Sequence, residues 1–536
     1  TTRDIICLEF NYGSRSYQKE CEHLRKVAAN AVKEYKSAKV ENDTFLLEQI
    51  ENKRKKILEL TETACINRDR YIEKSKDELR EMFYVNGVDV PYVSYKRDGT
   101  IRKREVIHYK MLYRSTGKAK KGSCMFICDR LYDQAIRYLR MGIELDDDNP
   151  MIVEISAYSP LISSGIIGKV KINPRNILIL KDVDRFFETD VISIETDEDR
   201  HCFAKAISNY RLKNTLFDGQ ALIDARIFPK WAHGYILLRQ HFCKTAAFLA
   251  YMQEFFKDYY GDKYETATVT DMFGVVHYVK DIELVTTDNS MKWIKFHKSY
   301  DYWCEWVEEN GGYFGIVKTS HESKLGNYQK MSYQMVNSLD NDIMENVCQN
   351  SIEYVERLKT DLPFFIEYLK SNSNFSNDYD VLVALLEHNP EFERCDYFRK
   401  RRKKIIQAYV INLKSGRIIQ NAENLTIVGS PYAMLLYAAT GNPNIVDEDD
   451  TLQIEPGTIQ CYTERFEDGE YLAFFRSPFN SKNNLTYLHN SRDDRIKKYF
   501  NLGRQIVAVN MIGTDFQDRN NGLTYWAGSG ETLFKN

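Results

Sequence analysis

No window of this 536-residue chain offers the ~20 apolar residues of a membrane span, and the opening TTRDIICLEFNYG carries no basic leader ahead of an apolar run. A membrane helix and an export signal are therefore not expected. Eleven cysteines, an odd number, are scattered without a CxxC pair, the closest spacing being Cys124 to Cys128. That argues against a disulfide framework and a zinc ribbon, and for reduced thiols in a cytoplasmic protein. The GxxxxGK[ST] order of an NTPase phosphate loop is absent, as are a fixed-period repeat and a low-complexity linker. A strong net charge is missing too, because the formal total of -3 combines basic blocks such as 399–404 with acidic ones at 146–148 and 447–450. A near-neutral total leaves a nucleic-acid partner open, since local patches decide that question. The first residue is not Met, so the ends need not be those of a complete gene product.

What is present is length enough for about two to four domains of roughly 100–200 residues each. From 17 to 82 the chain is charged and nearly free of Gly and Pro, with Leu24, Val27, Ala28, Ala31 and Val32 at helical spacing. This predicts a helical arm over 1–86, most simply a solvated one. An α/β region of short strand-like pieces follows over 87–215. Within it, YKMLYRSTGKAKKG gathers Lys110, Arg114, Lys118, Lys120 and Lys121 with glycines at 117 and 122. Lysines and close-approaching backbone N–H groups suit phosphate, although the more ordinary reading of such a run alone is a basic surface loop.

Strands of four to seven residues from Phe217 to Phe296, opening on FDGQALID, suggest a compact β-barrel over 216–299. Arg239, Lys244, Lys292 and Lys295 sit there among apolar residues. A cation lining a cleft needs an anion, and phosphate is a common one; singly, each reads more simply as a snorkelling side chain or a structural ion pair. A helical connector is expected over 300–412, ending in the block RKRRKK beside Tyr397 and Phe398. Six consecutive cations are usually a solvated surface, but next to aromatics they also suit a nucleic-acid backbone. A second β-barrel is expected over 413–536. Its last strand, Ile506 to Val509, climbs towards a tip carrying Asp515, Asp518, Arg519, Asn520, Asn521 and Gly522. Such a tip is compatible with a metal ion, a phosphate or plain turn chemistry.

Read in order, YKMLYRSTGKAKKG, FDGQALID, LRQHFCKTAAF, GIVKTSHESK, SYQMVNSL, GEYLAFFRSPF and AVNMIGTDFQDRNNG cover roughly 110 to 522. This series resembles the cellular RNA-dependent RNA polymerases of RNA silencing and is similar to the single-chain two-barrel RNA polymerases of bacteriophages and prophages. The resemblance implies an α+β chain with two double-psi β-barrels joined by a helical connector. It implies template-dependent RNA synthesis from nucleoside triphosphates, with RNA or DNA as partner. It further implies that Lys244 and Lys292 meet nucleotide phosphates, that Arg476 lies near the nucleotide, and that Mg²⁺ is held by carboxylates of the second barrel. Here the chain departs from the family. An Asp-x-Asp-x-Asp triad is required, whereas DRNNG is followed by LTYWAGSG, with no carboxylate until Glu531. Asp515 and Asp518 have the wrong spacing and would be substitutes at most. The expectation is a truncated or rearranged polymerase of little or no activity, or a nucleic-acid-binding protein that keeps the polymerase shape.

Overall fold

The computed structural model describes residues 3–9, 22–27, 29–30, 44–95, 100–113, 123–146, 148–163, 165–197, 201–330, 341–374, 377–455, 458–475, 485–510 and 530–535. It divides into two compact units, Thr1–Pro160 and Leu161–Asn536. The architecture is mixed α/β with curled sheets, and among the described residues no helix is long and apolar enough to cross a membrane. Every described cysteine is a free thiol.

The first unit holds a helix over Thr44–Arg80, inside the expected helical arm, and an antiparallel sheet. Its strands are β1 (Ile5–Glu9), β2 (Val88–Tyr95), β3 (Ile101–Tyr113) and β4 (Ser123–Cys128), in the order β1-β4-β3-β2. Tyr109 anchors the sheet. Its ring is fully buried, and its phenol meets the Tyr92 hydroxyl at 2.9 Å.

The second unit contains the two large sheets. The first takes β5 (Gly168–Lys171), β6 (Ile177–Leu180), β9 (Gln220–Asp224), β10 (Tyr235–Gln240), β11 (Cys243–Ala250), β14 (Leu284–Thr287) and β15 (Tyr313–Thr319). Strands from outside the 216–299 span thus complete it. Between these lie two separate hairpins, β7 (Asp184–Thr196) with β8 (Cys202–Thr215), and β12 (Thr268–Thr270) with β13 (Val276–Tyr278). The second sheet takes β16 (Tyr328–Lys330), β17 (Ile419–Gly429), β18 (Ile454–Glu455), β19 (Thr458–Tyr462), β20 (Tyr471–Phe475), β21 (Leu485–Asn490), β22 (Ile506–Val509) and β23 (Gly530–Lys535).

The two sheets share one connectivity. The first runs β6-β14-β9-β11-β10-β15 and the second β17-β22-β19-β21-β20-β23. Setting aside β5, β16 and the short accessory strands, and ranking the strands of each path by chain position, both read first, fifth, second, fourth, third, sixth. The senses agree as well: first with fifth and second with fourth are parallel, in β6·β14 and β9·β11 as in β17·β22 and β19·β21. Fifth with second, fourth with third and third with sixth are antiparallel in both. In the second sheet β23 also pairs with β17, which closes the circuit. In the first, β15 pairs instead with β5, the strand that leads into β6. No such repeat is visible in the residues, because backbone pairing constrains only apolar patterning and turns.

Side chains follow from this arrangement. QALID of β9, LVTT of β14 and IVAV of β22 are buried along their whole length, as expected of strands covered on both faces. Leu222, Phe248 and Val285 of the first sheet join Ile427, Leu488 and Val507 of the second in one apolar core. Each such side chain contributes about 1.5–3 kcal/mol relative to exposure.

Two polar contacts hold the sheets in register. The Gln220 amide, fully buried, accepts from the Gly429 N–H at 2.8 Å and donates to the Gly429 carbonyl at 3.1 Å. Gly234 faces the chain before β22: its φ is +65°, and a Cβ there would lie 2.2 Å from the Leu502 carbonyl oxygen. Gly234→Ala therefore combines a left-handed backbone with a collision against main chain. It is expected to cost at least about 2 kcal/mol in denaturant unfolding; a cost below about 0.5 kcal/mol would show that this approach is not tight.

Asp182, just after β6, ties three segments together. Its carboxylate accepts from the Val183 and Phe217 N–H groups, the Thr287 hydroxyl and the Asn289 amide, all at 2.8–3.0 Å. Burial nevertheless pushes it from 3.8 up to about 6, the four donors pulling the other way. With the folded value above the unfolded one, its contribution is full below 3.8 and lost as pH rises through about 6. Asp182→Asn should lower overall stability, since an amide nitrogen would face Thr287 and Asn289. It should also flatten the pH dependence of unfolding between about 4 and 6, and an unchanged slope in that window would count against this assignment.

Candidate functional site

The hairpin between β10 and β11 builds the site. Register places Arg239 directly across from Lys244, and the turn passes through His241 and Phe242. Residues directly opposite in an antiparallel pair share a face, and like charges in that position are unfavourable. Lys292 is drawn to the same turn, because its N–H donates to the Phe242 carbonyl at 2.7 Å while Met291 bridges to Cys243. Phe242 holds φ at +52°, a left-handed conformation that costs a bulky residue about 1–3 kcal/mol. The T-shaped contact with Phe296, centroids 5.2 Å apart, and the bond from Lys292 hold it there.

Electrostatics mark these groups as one cluster. Burial lowers the Lys244 ammonium, and Arg239 and Lys292 lower it further, with Asp218 pulling back. The Arg239 guanidinium is lowered by burial and donates to the Leu238 carbonyl at 2.8 Å. Asp218, in the turn before β9, is raised by burial although Lys292 and Lys244 oppose this. The nearby Asp288 is committed elsewhere, pairing with Lys181 and accepting from the Asp182 N–H. Arg239, Lys244 and Lys292 thus lie together in a half-buried setting, with Asp218 acting on the two lysines, and a cluster of cations of this kind suits a multiply charged anion such as a phosphate chain. Cys243 is no nucleophile here, since burial pushes its thiol up to about 12.

The sequence candidates divide into three groups. Arg239, Lys244 and Lys292 are brought together. Lys110 lies in the other unit, where it is paired with Asp129 at 2.6 Å and set over the Tyr132 ring. Arg114, Lys118, Lys120, Lys121, Arg476, Asp515 and Asp518 lie outside the described residues. Among the described residues no group of three His, Cys, Asp or Glu is placed to hold a metal.

Chain order nonetheless relates the two sets. In chain order Arg476 follows β20, the third-ranked strand, as His241 and Phe242, between Arg239 and Lys244, follow β10 in the first sheet. Asp515 and Asp518 fall between β22 and β23, equivalent to the connection between β14 and β15 that carries Lys292. Sequence reasoning passed over Asp218 as a turn residue and Phe242 altogether. The Asp-Gly pair was the available signal for the first; nothing in the residues alone signals the second. Comparison with protein-family models and with curated proteins finds no match.

If Asp218 is the internal counter-charge of this cluster, Asp218→Asn should tighten binding of inorganic tripolyphosphate about three- to tenfold in calorimetry, roughly the 1 kcal/mol of one competing charge. Weaker binding would show that the carboxyl organises the cations instead of competing for them.

Proposed function

We propose that this chain is a nucleotidyl-transfer protein of the two-barrel RNA polymerase type, adding ribonucleotides to an RNA 3′ end on a nucleic-acid template. The observation that carries the reading is the half-buried Arg239, Lys244 and Lys292 cluster on a strained turn of the first sheet. Support comes from the matching strand connectivity of the second sheet; in chain order Arg476 follows its third strand and Asp515 and Asp518 follow its fifth. Parallel first-with-fifth and second-with-fourth pairs in both sheets fit a pair of double-psi barrels.

In this reading the three cations receive the triphosphate, neutralising the charge that builds on the leaving pyrophosphate. Arg476 supplies a further contact to the nucleotide. The chemistry calls for Mg²⁺ on converging carboxylates, and the acids near the tip number two, Asp515 and Asp518, where the family pattern has three. They do not fit the triad. That departure favours a second reading, a polymerase-shaped protein that binds nucleic acid and nucleotide without catalysis.

Lys244→Ala and Lys292→Ala should each weaken nucleoside triphosphate binding about 10- to 100-fold, the value of a charge-assisted hydrogen bond of about 1.5–3 kcal/mol. Circular dichroism should remain unchanged. Unaltered affinity in both variants would remove the cluster from the nucleotide site. Incorporation of labelled nucleotide by the purified chain in Mg²⁺ or Mn²⁺ separates the two readings: incorporation eliminates the non-catalytic one, and binding without incorporation selects it.

A further inference from the structure

The helical stretch between the sheets packs the helices Met344–Thr360, Leu362–Asn372, Tyr379–His388 and Asp396–Lys414 around a core containing Leu358, Phe365, Leu386, Phe398, Ile405 and Tyr409. The last helix contains the six-cation block, and the fold splits that block in two. Arg401 and Arg402 turn inward. Arg401 forms a bidentate pair with Asp378, its Nε at 2.9 Å, and Arg402 donates twice to the Leu358 carbonyl while lying 4.8 Å over the Phe365 ring. These two are part of the core's edge.

Arg399, Lys400, Lys403 and Lys404 turn outward, and all four are exposed. None has an ion pair with a described residue. Elsewhere in the same helices Arg357, Lys359 and Lys370, and Arg394 in the turn Pro390–Arg394 before the last helix, are each matched by a carboxylate. The outward four form two like-charge pairs at i,i+4 spacing, an arrangement that destabilises a helix by about 0.2–0.5 kcal/mol per pair. The helix carries one acid, Asp396, three residues before Arg399 and four before Lys400, and no ion pair joins it to either; Lys403 and Lys404 have no acid of the helix within a turn. One residue before Phe398, Tyr397 is also exposed, at 56%. Seven residues separate it from Lys404, two turns along the same side of the helix.

We propose that this face of the helix Asp396–Lys414 docks the phosphate backbone of a single-stranded nucleic acid, with Tyr397 as a stacking platform for a base. The two cations of each pair are four residues apart, about 6 Å along the axis, so they engage neighbouring phosphates instead of a single one. Stacking on an exposed aromatic beside a cationic track is how single strands are held without sequence preference. The inference rests on the nucleic-acid reading above for the kind of partner, but it names a surface separate from the Lys244 cluster.

The test is fluorescence anisotropy of the full chain with a labelled oligo-uridine, across a KCl series. Replacing Arg399, Lys400, Lys403 and Lys404 by Gln should reduce the slope of log K against log salt by about 3, at about 0.7 per phosphate contact. Tyr397→Ala should lower affinity about fivefold or more while leaving that slope intact. Because these side chains point outward and repel one another, helix content should hold and the melting temperature of the quadruple variant should not fall. An unchanged slope in the quadruple variant overturns the proposal. Displacement of the RNA by poly-aspartate at equal charge concentration overturns it too, by assigning the face to acidic protein. Nucleotide binding is measured in parallel. The quadruple variant should bind nucleoside triphosphate as the parent chain does, and Lys244→Ala should retain the salt slope, so failure at either surface is seen without the other.

Discussion

One buried amide holds the organisation of the second unit. Gln220 offers Gly429 the donor and acceptor that a neighbouring strand would offer, and so joins the first sheet to the second beside the bridge between Ala250 and Phe500, while among the described residues no named strand of one sheet pairs with one of the other. A buried amide without partners would cost about 1–3 kcal/mol for each unsatisfied group, and here the Gln220 side chain and the Gly429 main chain satisfy each other. The position matters as much as the energy. Gln220 lies two residues after Asp218 and pairs in register with Ala246, two residues after Lys244. The link between the sheets is therefore built on the same strands as the cationic cluster.

That cluster is a second constraint, and it works against stability. Arg239 opposite Lys244, with Lys292 drawn in beside a left-handed Phe242, combines like-charge repulsion, desolvation of the cations and backbone strain. A sequence under pressure for stability alone would replace at least one of these cations. Retaining all three together is intelligible if the site receives an anion, and the buried surroundings that depress the lysine strengthen its grip on such an anion.

Much of this was legible in the residues. The Gly- and Pro-poor stretch around Thr44–Arg80 announced its helix, FDGQALID announced a turn and a buried strand, and Lys244 stood out as a cation in an apolar run. The strand order was not legible, because pairs such as β6 with β14 or β17 with β22 join segments far apart in the chain, and periodicity reports only which face is buried. The shared connectivity escaped detection for the same reason: it is a repeat of pairings, not of residues. In the block 399–404 six cations looked alike. Only the packing of Phe365 and Asp378 distinguishes the two that serve the fold from the four that face outward. Gln220 and Asp182 gave no signal either, since a polar residue beside an apolar run is ordinary until its partners are known.

The central claim is that the Arg239, Lys244 and Lys292 cluster is the seat of a nucleotide's triphosphate. The most direct measurement is an experimental structure of the chain with a non-hydrolysable nucleoside triphosphate. The account predicts phosphate oxygens within hydrogen-bonding distance, about 2.7–3.2 Å, of the Lys244 and Lys292 amines, with Asp218 turned away from them. A triphosphate bound on another face, with no phosphate oxygen in contact with Arg239, Lys244 or Lys292, would contradict it.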